Sequence, residues 1–522
     1  MTTRRLTQLA LAFVAAAALY RLWPVLAGQP ALSRAFLTED GYLMLTVARN
    51  MATGLGMTVS DGTIPTNGVQ PLATFLFAGA YLVAGGDRVA GLVGVHAILA
   101  AAALGGVFAL RALARRLLAG LHDDPAWPWA AAALWFAGPL LVFHTMNGLE
   151  TGLVTLLILL SLLQFARVLE RGRAAGPAPG LLLGGALGLA FLARIDTVFL
   201  GVAVYAIWAL HLIAAQRLTV GEAARRILPA GLLTVALSAP WLVANVLRFG
   251  EIMPTSGHSQ QLTAGFGQNL ALLPAKLFEH AVPVLPVPGG LERAPAVMAA
   301  TGLVVGAALA WFFWRRLRAG GAICWVALAY LAHGAALAGY YGMVFGAPHF
   351  LGRYLAPLAP LLIVAVLTGA LDLVRALARE RAARIAPALA LAGLVLSAAL
   401  LGWRAGPAAR PQGHFQVVEW VKHNVDDATW VAAVQTGTLG YWHDRTINLD
   451  GKVNPAALAA RRAHGSVLPY VVETGKIRYI VDWAGMAGWA GRPDGGFDRA
   501  FELVVEDPAA DLAVLRRRDP AG

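Results

Sequence analysis

From its N-terminus to about residue 403 the sequence returns repeatedly to long stretches without a charge. Each approaches the roughly twenty apolar residues that a helix needs to cross the hydrocarbon of a bilayer. In lipid every backbone donor and acceptor must be satisfied internally, so runs of this kind leave helices as their fold. A first span follows Arg4 and Arg5 and extends from Leu6 toward Leu26. It resembles a signal peptide in outline, but it is longer and many spans follow it, so a retained helix is expected. Further runs lie at roughly 69–86, 88–110, 127–145, 149–166, 180–193, 197–213, 226–246, 296–314, 321–341, 354–371 and 386–403. Allowing for short and broken runs, about eleven crossings are expected.

Composition excludes the main alternatives. The chain is 58% hydrophobic and 13% charged, with a mean hydropathy of +0.63, whereas a soluble domain carries about a quarter of its residues as charges. The formal charge of +12 does not point to nucleic acid. Its arginines stand in short groups between apolar runs, as in 111–116, 315–318 and 375–384, which is the bias of cytoplasmic membrane loops. No zinc spacing or aromatic-basic interleaving accompanies them. The single cysteine, Cys324, excludes an intrachain disulfide and reads as a packing residue.

The basic segments at 167–173, 217–226, 315–318 and 375–384 fall on one side of the membrane if the later runs are single crossings. Glu150, Asp196, His258, Arg353 and the C-terminal region then fall on the other. The segment 111–116 joins the basic side only with an odd number of crossings between Asn67 and Arg111, where two runs are visible. The segment 247–295 is the longest loop of the membrane region. Its SGHSQQ and proline-rich VPVLPVPGG stretches suit either a cover over a site or an inert excursion.

The composition changes near Pro411. FQVVEWVKHNV (415–425) and PAALAARRA (455–463) read as helices, and 429–435, 477–483 and 501–507 as strands. Helices alternating with short apolar strands indicate a small α/β domain. The expected division is 1–408 for the membrane domain, with a first external loop at 28–68, and 409–522 for the α/β domain.

That first loop carries the strongest candidate chemistry. Glu39 and Asp40 follow the first span, and Tyr42 to Met51 has the spacing of an amphipathic helix. If Asp40 caps that helix, its charge meets free backbone donors, and an ionised carboxylate at an interface can take a proton from a hydroxyl or bind a metal. Other polar groups gather on the same expected side: His144, Asn147 and Glu150; Arg194 and Asp196; Asn245 and Arg248; His349, Arg353 and Tyr354. Ionisable groups at membrane depth are costly and mark pathways or sites. Arginine suits an anionic phosphate. Displacement of a phosphate leaving group from a sugar and anion-coupled transport both fit these groups.

TEDGYLMLTVARNMATGLG (38–56), TNGVQP (66–71), NGLETG (147–152), LARID (192–196), RYLAP (353–357) and GTLGYWHDRTINLDGKVN (437–454), taken in order, resemble the GT-C superfamily. These are multi-spanning glycosyltransferases that use polyprenyl-phosphate-linked sugars, and the likeness is to bacterial, ArnT/PMT-like members in broad class. The resemblance implies a mainly α fold, a polytopic transmembrane helical bundle of GT-C type with a small C-terminal α/β extracytoplasmic domain. It implies a catalytic Asp40, with Glu39 second, and a donor phosphate held by Arg353 and Tyr354 with Arg194 and Arg248. Substrate contacts are expected from Asn67, Gln70, Glu150, Asp196, His349 and His258. The last segment (437–454) suits either acceptor binding by Asp450 and Asn454 or turns at Gly437, Gly440 and Gly451, and turns are the expectation. Gly41 and Gln70 depart from the usual pattern, and no WWD-type motif of oligosaccharyltransferases is present.

The implied activity is inverting transfer of a sugar from a polyprenyl-phosphate donor to a hydroxyl of a lipid, polysaccharide or other envelope acceptor. It would take place at the bacterial cytoplasmic (inner) membrane, with the C-terminal domain on the periplasmic or extracellular side. The partners are the lipid-linked donor, the acceptor and membrane lipids, with no nucleic acid. No cofactor is demanded; a divalent cation shared by Glu39, Asp40 and Glu150 is one option. A transporter or flippase for a lipid-linked or anionic solute is the alternative, and it predicts internal repeats with broken helices. The enzyme reading expects one cavity to contact Asp40, Arg353 and one of Glu150, Arg194 or Arg248.

Overall fold

The computed structural model describes residues 3–172, 177–262, 264–404 and 413–518. Arg173 and the 408/409 domain boundary lie outside the described residues. Among those described, nine helices are long and apolar enough to cross a membrane. The pair Ala126–Ala137 and Pro139–Met146, bent by 63°, has the length and apolarity of a span only when taken together, and counting it as one brings the number to ten. The break falls at Gly138 and Pro139, where proline removes a backbone donor. Two apolar helices are shorter, Pro71–Val83 and Ala178–Ala193. At 1.5 Å per residue they reach about 20–24 Å, short of the roughly 30 Å hydrocarbon core.

Charged groups sort the helix ends. Arg116 reaches Glu170 at 3.3 Å, and Arg315 reaches Asp372 at 2.6 Å. Arg316 donates to the carbonyls of Leu117 and Ala119 at 3.1 and 2.7 Å. The basic segments near 116 and 315 therefore meet at one end of the bundle, whatever the number of crossings between Asn67 and Arg111. Cys324 is buried there and donates to the Arg316 carbonyl. Arg353 lies near the start of the segment Pro348–Ala378, and Asp372 lies near its end. Their separation along a helix is about 30 Å, the thickness of the hydrocarbon core.

The C-terminal region forms a five-stranded sheet ordered β4-β3-β5-β7-β6. Its strands are β3 (Val431–Ala433), β4 (Thr446–Asn448), β5 (Tyr479–Asp482), β6 (Phe501–Asp507) and β7 (Leu512–Arg517). Here β1 (Thr58–Val59) and β2 (Ile64–Pro65) denote a small antiparallel hairpin in the first loop. β3 pairs in parallel with both β4 and β5, while β7 runs antiparallel between β5 and β6. The helices Phe415–Asn424 and Pro455–His464 match the sequence reading. β4 and β7 escaped it. β4 has three residues, too few to show alternation, and β7 runs from an apolar stretch into arginines.

Parallel strands place their connecting loops at their carboxyl ends, where α/β sheets build sites. In this domain those ends face the first loop. β3 leads into the helix Gly437–Trp442 and β4 into the loop 449–454. Gly437 and Gly440 are therefore helical, which corrects the expectation of turns. Only Gly451, at φ +81°, makes one. The segment 247–295 buttresses this junction. From its helix Thr255–Gln261, Thr255 Oγ1 donates to the Lys452 carbonyl at 2.9 Å and Ser259 Oγ to the Asp450 carbonyl at 2.6 Å.

Candidate functional site

The helix Glu39–Ala52 starts on Thr38, whose side chain accepts the Gly41 N–H at 3.2 Å. Thr38, rather than Asp40, is thus the cap. Glu39 and Asp40 occupy the first turn, where negative charge is stabilised by the free N–H groups and the helix dipole. Successive residues of a helix point about 100° apart, so Glu39, Asp40 and Gly41 face three different partners.

Glu39 faces the C-terminal domain. Its carboxylate accepts the Thr438 N–H at 3.0 Å, the Thr438 hydroxyl at 2.8 Å and the His414 N–H at 3.3 Å. A Cβ on Gly437 would fall on the Glu39 carbonyl, so glycine permits this docking. Gly41 faces the loop Asn147–Gly148, and a Cβ there would fall on the Asn147 carbonyl. Close backbone approach explains the glycine after Asp40. Because Glu39 holds the two domains together, Glu39→Ala is expected to weaken the docking by about 3 kcal/mol. Faster amide exchange in residues 413–442 and a lower Tm would show it; wild-type values for both would refute it.

Asp40 faces two cations. Its Oδ2 accepts from Arg353 Nη1 at 2.9 Å and its Oδ1 from Lys452 Nζ at 3.0 Å. The three side chains are only 12–14% exposed. Burial alone would raise the Asp40 carboxyl, but the charges of Lys452 and Arg353 outweigh it and hold the group well below the usual carboxylate range. With its folded pKa depressed, Asp40 contributes stability that is complete above the ordinary value of about 3.9 and is lost as pH falls through the folded value. Wild-type Tm, from neutral pH down to about pH 4, is expected to show no loss from this group, and Asp40→Asn to remove part of the fall below that. Identical acid slopes in the two proteins would contradict this.

Arg353 links Asp40 to an aromatic layer. Its guanidinium lies 4.4 Å from the Phe350 ring centre and 5.0 Å from that of Tyr354, and Nη2 donates to the Tyr354 hydroxyl at 3.3 Å. Tyr354 stacks on Tyr341 at 4.3 Å. Tyr341 donates to Asp196 Oδ2 at 2.7 Å, and Asp196 Oδ1 accepts from Arg194 Nε at 2.8 Å. Arg194 Nη2 donates to the Tyr354 carbonyl at 3.1 Å. Its Nη1, like the Nε of Arg353, is buried without a hydrogen-bond partner. Unsatisfied guanidinium donors in a buried site are costly unless an anion takes them.

A cavity of about 200 Å³ adjoins this layer, lined by Gln70, Arg194, Asp196, Phe199, Tyr341 and Tyr354 among others. Asp40 and Arg353 are not in its wall, so the expected single cavity touching Asp40, Arg353 and Arg194 is not what the structure shows. Tyr354, which accepts from Arg353 at its hydroxyl and from Arg194 at its carbonyl, stands between the cavity and the Asp40–Arg353 pair.

The remaining candidates separate. Glu150, just before the helix Thr151–Arg171, is 4% exposed. Burial raises its carboxyl above the ordinary value, with the charges of Arg353 and Arg194 opposing. His349 is exposed beside the cluster, in electrostatic reach of Lys452, Asp40 and Arg353. Gln70 precedes the helix Pro71–Val83 and lines the cavity. Asn67 is fully buried and its Oδ1 accepts the Thr255 N–H at 3.1 Å, which ties the first loop to the buttress. His258 pairs with Glu251. Arg248 is exposed in the last turn of Val220–Phe249 and makes no hydrogen bond or ion pair with the cluster among the described residues. The structure thus does not bring Arg248 or His258 to Asp40. Glu39, Asp40 and Glu150 are turned to different partners, and the described residues hold no group of three His, Cys, Asp or Glu suited to a metal.

Lys452 was not anticipated. Its signal was compositional: lysine supplies only four of the 41 basic residues, and one stands inside NLDGKVN. Its distance from Asp40 in the chain, 412 residues, gave no local cue.

These features define a polytopic membrane protein with an acid-and-arginine site where the membrane bundle meets a sheet domain. More particularly, the chain has the GT-C fold. It is similar to ArnT from Cupriavidus metallidurans bound to undecaprenyl phosphate, with 14% identity, a TM-score of 0.59 and 98% of each chain covered. It is also similar to the archaeal oligosaccharyltransferase AglB from Archaeoglobus fulgidus in complex with an inhibitory peptide and a dolichol-phosphate. There the identity is 13% and the TM-score 0.58, over 95% of this chain and 72% of that one. Residues 404–514 match a family described as a domain of unknown function (DUF8728). No curated protein matches the chain by sequence.

Proposed function

We propose that this protein is an inverting glycosyltransferase that moves a sugar from a polyprenyl-phosphate donor to a hydroxyl of a lipid, polysaccharide or other envelope acceptor. The observation that carries the reading is the Asp40–Arg353 pair beside an aromatic cavity that Arg194 lines, with one buried guanidinium nitrogen of each arginine lacking a hydrogen-bond partner. An anionic phosphate suits the open guanidinium donors, and a polyprenyl chain suits the aromatic wall. The fold shared with ArnT and AglB supports a lipid-linked donor.

In this reading the donor phosphate draws Arg353 from Asp40 Oδ2, with Arg194 and Tyr354 completing its cradle. The freed oxygen takes the acceptor proton. The acceptor oxygen bonds to the anomeric carbon while the bond from that carbon to the phosphate oxygen breaks. The electron pair leaves with the polyprenyl phosphate, and configuration inverts. Arginine stabilises the charge that builds on the departing phosphate. The site belongs on the outer face of the cytoplasmic membrane, because the opposite end of the bundle carries the arginine groups that mark a cytoplasmic surface.

The test is incubation of purified protein with a panel of radiolabelled polyprenyl-phosphate pentoses and hexoses and an envelope lipid and glycan extract. Transfer of label with release of polyprenyl phosphate is expected. Movement of intact lipid-linked sugar across vesicles without its cleavage would overturn the reading in favour of a flippase.

A further inference from the structure

We propose that the C-terminal domain is a working part of the site and that Lys452 is its contribution. Lys452 is a positioning residue that holds Asp40 by Oδ1, so that Oδ2 is presented to the acceptor hydroxyl once Arg353 turns to the donor. This rests on the glycosyl-transfer reading above, and it gives residues 404–514 a role.

Geometry carries the proposal. Lys452 lies on the loop that leaves the carboxyl end of the parallel strand β4, the position from which α/β sheets deliver site residues. That loop is fixed from every side. Gly451 N–H donates to Asn448 Oδ1 at 3.0 Å and Lys452 N–H to Asp450 Oδ1 at 2.8 Å. The Lys452 carbonyl accepts from Thr255, and a Cβ on Gly68 would fall on it. The Asp450 carbonyl accepts from both Ser259 and Arg461. A loop this constrained holds the ammonium at a set position, and among the described residues the carboxylates paired with it are Asp40 at 3.0 Å and Asp450 at 3.4 Å.

Division of labour follows from the two oxygens of Asp40. Arg353 lies against the aromatic layer and the phosphate cradle, so a donor competes for it. Lys452 belongs to a different domain and stays. A carboxylate that lost both cations in a buried site would protonate and cease to act as a base. One that keeps Lys452 remains ionised and aimed. The titratable and charged groups around Asp40 are Arg353 and His349 from the membrane domain, Lys452 and Asp450 from the C-terminal loop, and Glu39 on its own helix. Tyr354 and Glu150 meet it through Arg353.

Two measurements test this in the full-length protein. The first needs no substrate: the infrared carbonyl band of protonated Asp40, identified by its loss in Asp40→Asn, is followed against pH. In Lys452→Met the band is expected about two pH units higher than in wild type, and Lys452→Arg is expected to restore the wild-type position. The second is the acid limb of kcat/KM with the radiolabelled donor panel. In Lys452→Met that limb is expected to move to higher pH by a similar amount, so that the loss relative to wild type grows as pH falls and vanishes toward neutral pH. An unmoved Asp40 band, or a loss in Lys452→Met that is the same at every pH, would overturn the proposal. A wild-type protein that transfers no sugar would instead defeat the functional reading, while the infrared titration would still decide the hold of Lys452 on Asp40.

Discussion

Asp40→Asn is expected to reduce sugar transfer by about a thousandfold or more, the scale set by loss of a positioned general base, while the protein stays folded. Asparagine keeps the shape and one hydrogen-bond acceptor of aspartate but has no useful basicity. Arg353 and Lys452 lose their shared counter-charge, and the free guanidinium is left for phosphate. The variant is therefore expected to bind polyprenyl phosphate at least as well as wild type. This combination of retained lipid binding and lost transfer separates a base from a purely structural ion pair, for which lipid binding and transfer would be lost together. Glu39→Gln, measured beside it, is expected to lose far less transfer, because Glu39 is committed to Thr438 and His414. Near-wild-type transfer by Asp40→Asn would remove Asp40 from the chemistry.

Arg353→Lys is expected to lower kcat/KM by about a hundredfold to a thousandfold, the range seen when one donor to a developing anion is removed. Lysine preserves the charge. It cannot donate to Asp40 and the Tyr354 hydroxyl from one rigid plane while sitting over the Phe350 and Tyr354 rings as the guanidinium does. Polyprenyl phosphate binding, measured by isothermal titration in detergent, is expected to weaken as well, in contrast to Asp40→Asn. Retained affinity together with retained kcat/KM would show that the phosphate lies elsewhere. Arg194 is a poorer place for this test. Its pairing with Asp196 and the Tyr354 carbonyl makes it part of the frame, so its loss would damage the cavity as well as the phosphate contact.

Asp40 and Arg353 were visible as candidates because each is a charge set beside an apolar run. A charge in that position costs free energy unless it has a partner or a task. Their meeting is a fact of packing. Helical periodicity revealed a helix after Glu39, but not that Thr38 would cap it, since threonine and aspartate both serve as caps. The neighbouring carboxylates looked equivalent in the chain. On the helix they diverge by about 100°, which sends one to the C-terminal domain and the other to the cations. Glycines 41 and 437 read as a variation and a turn, yet both mark places where two backbones touch.

By itself the sequence determined a polytopic helical protein with a basic end and a terminal α/β domain. Those properties follow from the length of apolar runs, the placement of arginine and the alternation of short strands, all of which are local along the chain. The tertiary structure alone decided the membership of the site. It brought in Lys452 from the far domain, left out Arg248 and His258, and turned Asn67 and Glu39 into fastenings. A hydrogen bond or ion pair forms over about 3 Å, and residues hundreds of positions apart come within that distance only after two separately folded layers have docked.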